Sequence, residues 1–260
     1  MRWFDRDSGS VVFVCPEYYW GDLSTEQRAQ QIGLKRLYEP VSELLRLLLT
    51  GAPDDLVRQL EDADQQFRVW LELKSNWSLS RDISANEAKL RTAAVAIEKI
   101  LGVLEVTGSA EVLVVPDTNS LLGRADPTDY RSIVALDAFA FTLLPTVLGE
   151  LDRLKIEHRN PDVREKAKAA ITRVKGWRQQ GSLSIGVTVD KTITVRACHS
   201  EPDMERTLSW LDPNVEDDRI IASVIALQAK QPSSRVILVT GDINLQNKAD
   251  AAMVETAEAP

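Results

Sequence analysis

The chain has 260 residues, 44% hydrophobic and 27% charged, and a formal charge of -8. That balance is ordinary for a globular protein and argues against a general nucleic-acid coat, which needs a broadly basic surface. Its longest apolar run falls far short of the ~18 residues that span a bilayer, and no signal core follows the acidic N-terminus. No membrane association is therefore expected. With only His158 and His199, neither a multi-histidine zinc site nor HExxH can be built. G-x-S-x-G, P-loop and G-x-G-x-x-G motifs are absent too. Cys15 and Cys198 lie far apart without metal-ligand spacing, the usage expected of free thiols in a cytoplasmic protein.

In chain order, Val11-Val12-Phe13-Val14 predicts a short strand, and Tyr18-Tyr19-Trp20 reads as packing for the helices that follow. Ser24-Thr25-Glu26-Gln27 is a capping box. After it Ile32, Leu34, Leu37, Val41, Leu44, Leu45 and Leu48 recur at helical spacing toward Gly51. Pro53 suits the first turn of a second helix, with Leu56, Leu60, Phe67, Trp70, Leu71 and Leu73 on one side. Ser84-Ala85-Asn86-Glu87 reads as a second capping box, opening a helix through Leu90, Ala94, Ile97, Ile100, Leu101 and Leu104. Residues 24–105 thus predict a helical module, with Leu44, Leu48, Leu60, Trp70, Ile97 and Leu101 largely buried. Gly108-Ser109 marks the junction, giving an accessory module at 1–108 and a second domain at 109–260.

Beyond the junction strands alternate with helices, the pattern of a mostly parallel sheet. Val112-Leu113-Val114-Val115 is wholly apolar, as a strand buried on both faces must be, and it runs into Pro116-Asp117-Thr118-Asn119. Residues 139–144 form the next strand, ended by Pro145, and Thr146 is placed to cap the helix carrying Glu150-Leu151-Asp152-Arg153. A long helix runs from Pro161 to about 178, toward Gly181. Residues 183–196 alternate as two short strands around Asp190-Lys191. Asp217-Asp218 open a helix, Val236-Ile237-Leu238-Val239 is a second buried strand ending in Thr240-Gly241-Asp242, and a last helix starts at Asn244.

Ligands in open α/β sheets bind beyond the carboxyl ends of the strands, which is where Asp117 and Asp242 fall. Taken singly, the acids have ordinary explanations: Asp117 and Asp242 as N-caps, Asp218 as a helix-dipole partner, Glu150 as an exposed first-turn residue. Their order and context go further. Pro116-Asp117-Thr118-Asn119, Leu148-Gly149-Glu150-Leu151-Asp152, Asp217-Asp218-Arg219-Ile220-Ile221-Ala222 and the stretch from Val239 through Gly241-Asp242-Ile243-Asn244-Leu245 to Lys248-Ala249 together resemble the PIN-domain family of nucleases across essentially all of residues 111–255. Asn-Leu followed by Lys-Ala after the last acid is similar to the branch containing eukaryotic RNA-decay endonucleases; shorter toxin-type members match less well. The N-terminal module resembles no family.

The resemblance implies an α/β class protein, a three-layer α/β/α PIN-like domain with a central mostly parallel sheet, preceded by an α-helical module. It places catalytic and metal-binding acids on Asp117, Glu150, Asp218 and Asp242. Asp217 is the ambiguous neighbour; an aliphatic residue at i+3 and alanine at i+4 favour Asp218 as the inward one. Asn119, Thr240 and Asn244 fall on supporting polar positions. The chemistry agrees: two like charges about 4 Å apart repel by about 4 kcal/mol at an effective dielectric of about 20, so clustered carboxylates take up protons or cations. Oxygen donors without His or Cys favour one or two Mg²⁺ or Mn²⁺ ions, suited to phosphodiester hydrolysis.

Cations concentrate beside Glu150. Arg153, Lys155, Arg159, Arg164, Lys168 and Arg173, with Lys166, Lys175, Arg178 and Trp177 among them, read as a rail for a single-stranded RNA backbone. The plainer reading is a solvated helix face balanced by Glu157, Asp162 and Glu165. The expected function is a metal-dependent endoribonuclease on single-stranded RNA. The alternatives are a non-catalytic scaffold binding RNA or protein, a toxin-type ribonuclease, and a structure-specific DNA nuclease. The helical module is the expected dock for a protein partner, and homo-oligomerisation stays open.

Overall fold

The structure is a computed structural model that describes residues 3–4, 11–12, 23–50, 52–72, 82–106 and 111–258. The chain divides into two compact units, Met1–Ser42 with Ala52–Leu101, and Glu43–Gly51 with Gly102–Pro260.

In the first unit, β1 (Trp3–Phe4) pairs antiparallel with β2 (Val11–Val12). Phe13, Val14, Cys15, the cluster Tyr18-Tyr19-Trp20 and Leu73 lie outside the described residues. Three helices follow: α1 (Thr25–Leu48), whose last turn belongs to the second unit, α2 (Asp54–Glu72) and α3 (Ile83–Val106). The first capping box forms in full: the Gln27 N–H donates to Ser24 Oγ at 3.2 Å and the Ser24 N–H to Gln27 Oε1 at 3.0 Å. The second does not. α3 begins earlier, with Asp82 Oδ1 accepting the Ser84 N–H at 2.9 Å, because an aspartate one turn upstream is itself a strong cap.

Of the six residues predicted as the module's core, Leu60 is fully buried, whereas Leu44, Leu48, Trp70, Ile97 and Leu101 are half-buried. Ala63, Ala93 and Ile100 are buried instead; small residues at helix contacts let backbones approach and leave larger side chains at the rim. Ile32, Leu34, Leu37 and Val41 on α1 are exposed. Asp64, 4% exposed, was not anticipated as a core group. It accepts hydrogen bonds from Tyr38 (2.9 Å), Ser42 (2.6 Å) and Arg68 Nε (2.8 Å), and Arg68 also donates to Ser42 Oγ at 2.8 Å. Burial pushes its pKa up, but these donors and the guanidinium outweigh burial and leave it lowered.

The second unit is the sheet domain. Its strands are β3 (Val112–Pro116), β4 (Phe139–Leu143), β5 (Val187–Asp190), β6 (Ile193–Ala197), β7 (Arg235–Val239) and β8 (Glu255–Ala257). The order across the sheet is β5-β6-β4-β3-β7-β8, all parallel except the antiparallel edge strand β5. Helices α4 (Thr118–Gly123), α5 (Tyr130–Val134), α6 (Pro145–Glu157), α7 (Pro161–Gln180), α8 (Glu216–Lys230) and α9 (Ile243–Ala251) complete the three layers. The predicted apolar runs are the central strands: Val114, Val115, Leu238 and Val239 are wholly buried, each such side chain contributing roughly 1.5–3 kcal/mol. The chain moves from β3 to β4 and β6 on one side, then crosses back to β7 on the other. That reversal opens a crevice at the carboxyl edge on either side of β3.

Helix starts depart from expectation in two places. α6 begins at Pro145, so Thr146 lies inside it and donates instead to Glu201 Oε1 at 2.9 Å. α8 begins at Glu216, one residue before the predicted pair. Among the described residues no helix is long and apolar enough to cross a membrane.

Candidate functional site

Asp117 follows β3 and caps α4, its Oδ1 accepting the Ser120 N–H at 2.6 Å. Its other oxygen, Oδ2, accepts the Thr240 hydroxyl at 2.5 Å. Thr240, 0% exposed, follows β7, and its Oγ1 in turn accepts the Asp242 N–H at 3.0 Å. One buried hydroxyl therefore ties the two strand-end acids together. Asp242 caps α9, accepting the Asn244 N–H at 2.7 Å and the Leu245 N–H at 3.4 Å. Both acids are N-caps as well as members of the cluster, and Asn244 serves through its backbone while its side chain is exposed.

Glu150, half-buried on α6, accepts a short hydrogen bond from the Thr118 hydroxyl. Burial pushes its carboxyl pKa up; Thr118 opposes this, Glu216 pushes it higher, Arg153 opposes and Asp117 adds to the rise. Asp218 is buried on α8, with Oδ2 accepting the Asp212 N–H at 2.9 Å. The Lys248 ammonium on α9 stands 2.7 Å from Asp218 Oδ1 and 3.5 Å from Asp217 Oδ2. The Lys248 ammonium is the charged partner of that buried oxygen of Asp218. Asp217 lies nearer the surface, its side chain 35% exposed.

Asp117 and Asp242 are thus joined through Thr240, Glu150 is held by Thr118 next to Asp117, and Asp218 pairs with Lys248 of α9, the helix that Asp242 caps. Among the described residues no group of three or more His, Cys, Asp or Glu side chains is placed to hold a metal ion. The donor set nevertheless suits a hard divalent cation, being carboxylate oxygens only. Sequence reading missed Thr118, Ser120, Glu216 and Lys248. Glu216 carries a charge that raises Glu150 and pairs with Arg153 at 2.5 Å; the acidic triplet 216–218 was its visible sign. Asn119 is exposed and, among the described residues, makes no side-chain hydrogen bond to these acids; it lines a cavity of about 350 Å³ with Arg124 and Asp242. The orienting groups are its neighbours Thr118 and Ser120, which face inward.

Much of the predicted basic rail is compensated. Arg153 pairs with Glu216, Lys155 with Asp152, Lys168 with Glu165 at 2.7 Å and Arg173 with Asp126. Arg164 donates to the carbonyls of His158 and Arg159, and Arg159 itself is exposed. Trp177 is not on the rail at all. It is buried on the core face of α7, edge-on to Phe141 at 6.4 Å between ring centroids, and is closed to base stacking.

No curated protein matches the chain. A family model described as the PIN domain matches residues 114–259, more than half of the sequence. This span runs from within β3 through β8 and holds all four acids, and the chain belongs to the PIN-domain family.

Proposed function

We propose that this protein is a metal-dependent endoribonuclease that hydrolyses phosphodiester bonds of single-stranded RNA, with residues 109–260 as the nuclease domain and 1–108 as an accessory module. PIN domains are typically nucleases, and nucleases of this family generally use divalent metals. What supports the reading is the PIN-domain match together with the joining of Asp117 and Asp242 through Thr240, the hold of Thr118 on Glu150, and an oxygen-only donor set. Asp117, Glu150, Asp218 and Asp242 would hold Mg²⁺ or Mn²⁺, with Asp217 at the rim. The ion supplies Lewis acidity at the phosphoryl group and lowers the pKa of water there.

The chain's own side chains do the rest. Thr240 and Ser120 fix Asp117 so that its charge is aimed without a rotamer search. Thr118 holds Glu150 Oε2, and burial raises the pKa of that carboxyl above the ordinary glutamate value. Lys248 offsets part of the charge of Asp217 and Asp218. RNA approaches over Arg153, Lys155, Arg159, Arg164, Lys168 and Arg173.

A second reading has one observation in its favour. Lys248 already ion-pairs with both Asp217 and Asp218, as it would in a scaffold that binds RNA or protein without cutting. Labelled single-stranded RNA incubated with wild type or Asp117→Asn in Mg²⁺ or Mn²⁺ separates the two. The nuclease reading expects cleavage by the wild type, abolition by EDTA, and a loss of orders of magnitude in the variant. Equal cleavage by both proteins, or cleavage in EDTA, sinks it.

A further inference from the structure

Besides the acidic edge, the sheet domain carries a larger cavity, about 800 Å³, between α6, α7 and the end of β6. That size lies within the roughly 300–1,000 Å³ of small-ligand sites. Its floor is apolar, formed by Leu148 of α6, Val174 of α7 and Leu183. Three cations stand round it, but Lys155 is bound to Asp152. Lys175 and Arg178, one helical turn apart on α7, are both exposed and are not among the ion-paired side chains of the described residues. The opposite rim carries the Ser182 and Ser184 hydroxyls, 2.8 Å apart.

The cavity lies across α6 from Glu150: Leu148, Asp152 and Lys155 line it from one face of the helix, and Glu150, two residues after Leu148, stands about 200° round from that face. It opens near the carboxyl ends of the strands, where the Cys198 N–H, just past β6, donates to the Leu143 carbonyl at the end of β4. A chain of net charge -8 repels a polyanion over much of its surface, which makes two uncompensated cations at a cavity mouth a local attraction. An inorganic anion would use those cations and leave the apolar floor idle. A nucleotide uses both, its phosphates on the cations, its sugar near the hydroxyls and its base on the aliphatic floor.

We infer that this cavity is a subsite for one nucleotide of the single-stranded RNA substrate, with the flanking phosphates on Lys175 and Arg178 and the base against Leu148, Val174 and Leu183. This rests on the ribonuclease reading and extends it from where the strand is cut to where it is gripped. Of the α7 cations without an ion pair among the described residues, Lys175 and Arg178 are the two that line this cavity.

The test uses the full chain with a short 5′-fluorescein-labelled oligouridylate. Binding is read by anisotropy in EDTA across a salt series, and cleavage in Mn²⁺ as separate KM and kcat values. K175A/R178A should raise Kd and KM by about tenfold, hold kcat within about twofold, and flatten the log Kd–log salt slope by about 1.4, the value for two single-strand phosphate contacts. S184W, which blocks the mouth without changing charge, should raise Kd similarly and keep the slope. K191A, a charge loss on the exposed β5–β6 turn, should match wild type in all three. Kd and KM within about twofold of wild type in both K175A/R178A and S184W overturn the subsite, while wild-type cleavage leaves the nuclease reading standing. Wild-type binding that these variants abolish, without any cleavage, keeps the subsite and removes the nuclease reading. Competition by uridine 5′-monophosphate or by poly-glutamate as effective as by the unlabelled oligomer overturns the RNA assignment in favour of a free-nucleotide site or a charge-only surface.

Discussion

At the scale of single residues, Thr240 and Lys248 matter more than their small size or surface position suggests. The Thr240 hydroxyl donates to Asp117 and accepts from the Asp242 backbone in a fully buried position. Thr240→Val keeps the shape but leaves a buried carboxylate oxygen without its donor and an N–H without its acceptor. The expected cost is about 1–3 kcal/mol in urea unfolding, and about 10–100-fold in cleavage, the range for groups that orient metal ligands. Thr240→Ser should restore most of both. Lys248→Met leaves Asp218, with its side chain 8% exposed, facing Asp217 without a counter-charge. Its melting temperature in EDTA should fall by about 2–4 °C for each kcal/mol lost. Added Mn²⁺ should then raise the melting temperature more in K248M than in the wild type. Equal shifts in the two proteins would show that Lys248 does not stand in for positive charge at the acids.

At the scale of elements, what the sequence disclosed depended on whether the information was local. The strands around Val114 and Leu238 were legible because a fully apolar run bounded by an acid has few other uses. The strand-end acids Asp117 and Asp242 came with them. Trp177 was legible in principle: Ala167, Ala170, Ile171, Val174 and Trp177 recur at helical spacing and form the inward face of α7. The cations between them drew it onto the wrong face. Lys248 and Glu216 were not legible as partners, because α8 and α9 meet only through the fold. The same holds for Asp64 of α2, whose donors come from α1 and from its own next turn. Its folded pKa lies below the ordinary 3.8, so the folded state binds this proton more weakly than the unfolded chain. The stabilisation is complete above about pH 4 and fades as pH falls through the lowered value. Urea unfolding of wild type and D64N should therefore differ most at neutral pH and converge below about pH 4. A gap that stays constant to pH 3 would count against the ionised Asp64 cluster.

At the scale of the whole molecule, every acid of the proposed centre lies between residues 117 and 242, within the span matched by the PIN domain. A fragment of residues 109–260 should retain metal-dependent cleavage of single-stranded RNA, with the helical module altering which substrates are reached. A folded fragment, verified by circular dichroism, that has lost all cleavage would assign the module a direct part in the chemistry. Residues 43–51 group with the sheet domain, and Leu44 and Leu47 pack on its core. A fragment that also supplies that segment is expected to be the more stable of the two.

The Thr240 N–H donates to the Ala257 carbonyl at 3.0 Å, and β7 is flanked by β8 on its outer side. The loop bearing Thr240 and Asp242 is therefore clamped by a strand that follows it in the chain. A nascent chain on the ribosome holds Asp117 and Glu150 long before Asp218, Asp242 and β8 emerge. The proposed centre can therefore close only once β8, which follows all four acids in the chain, has been made.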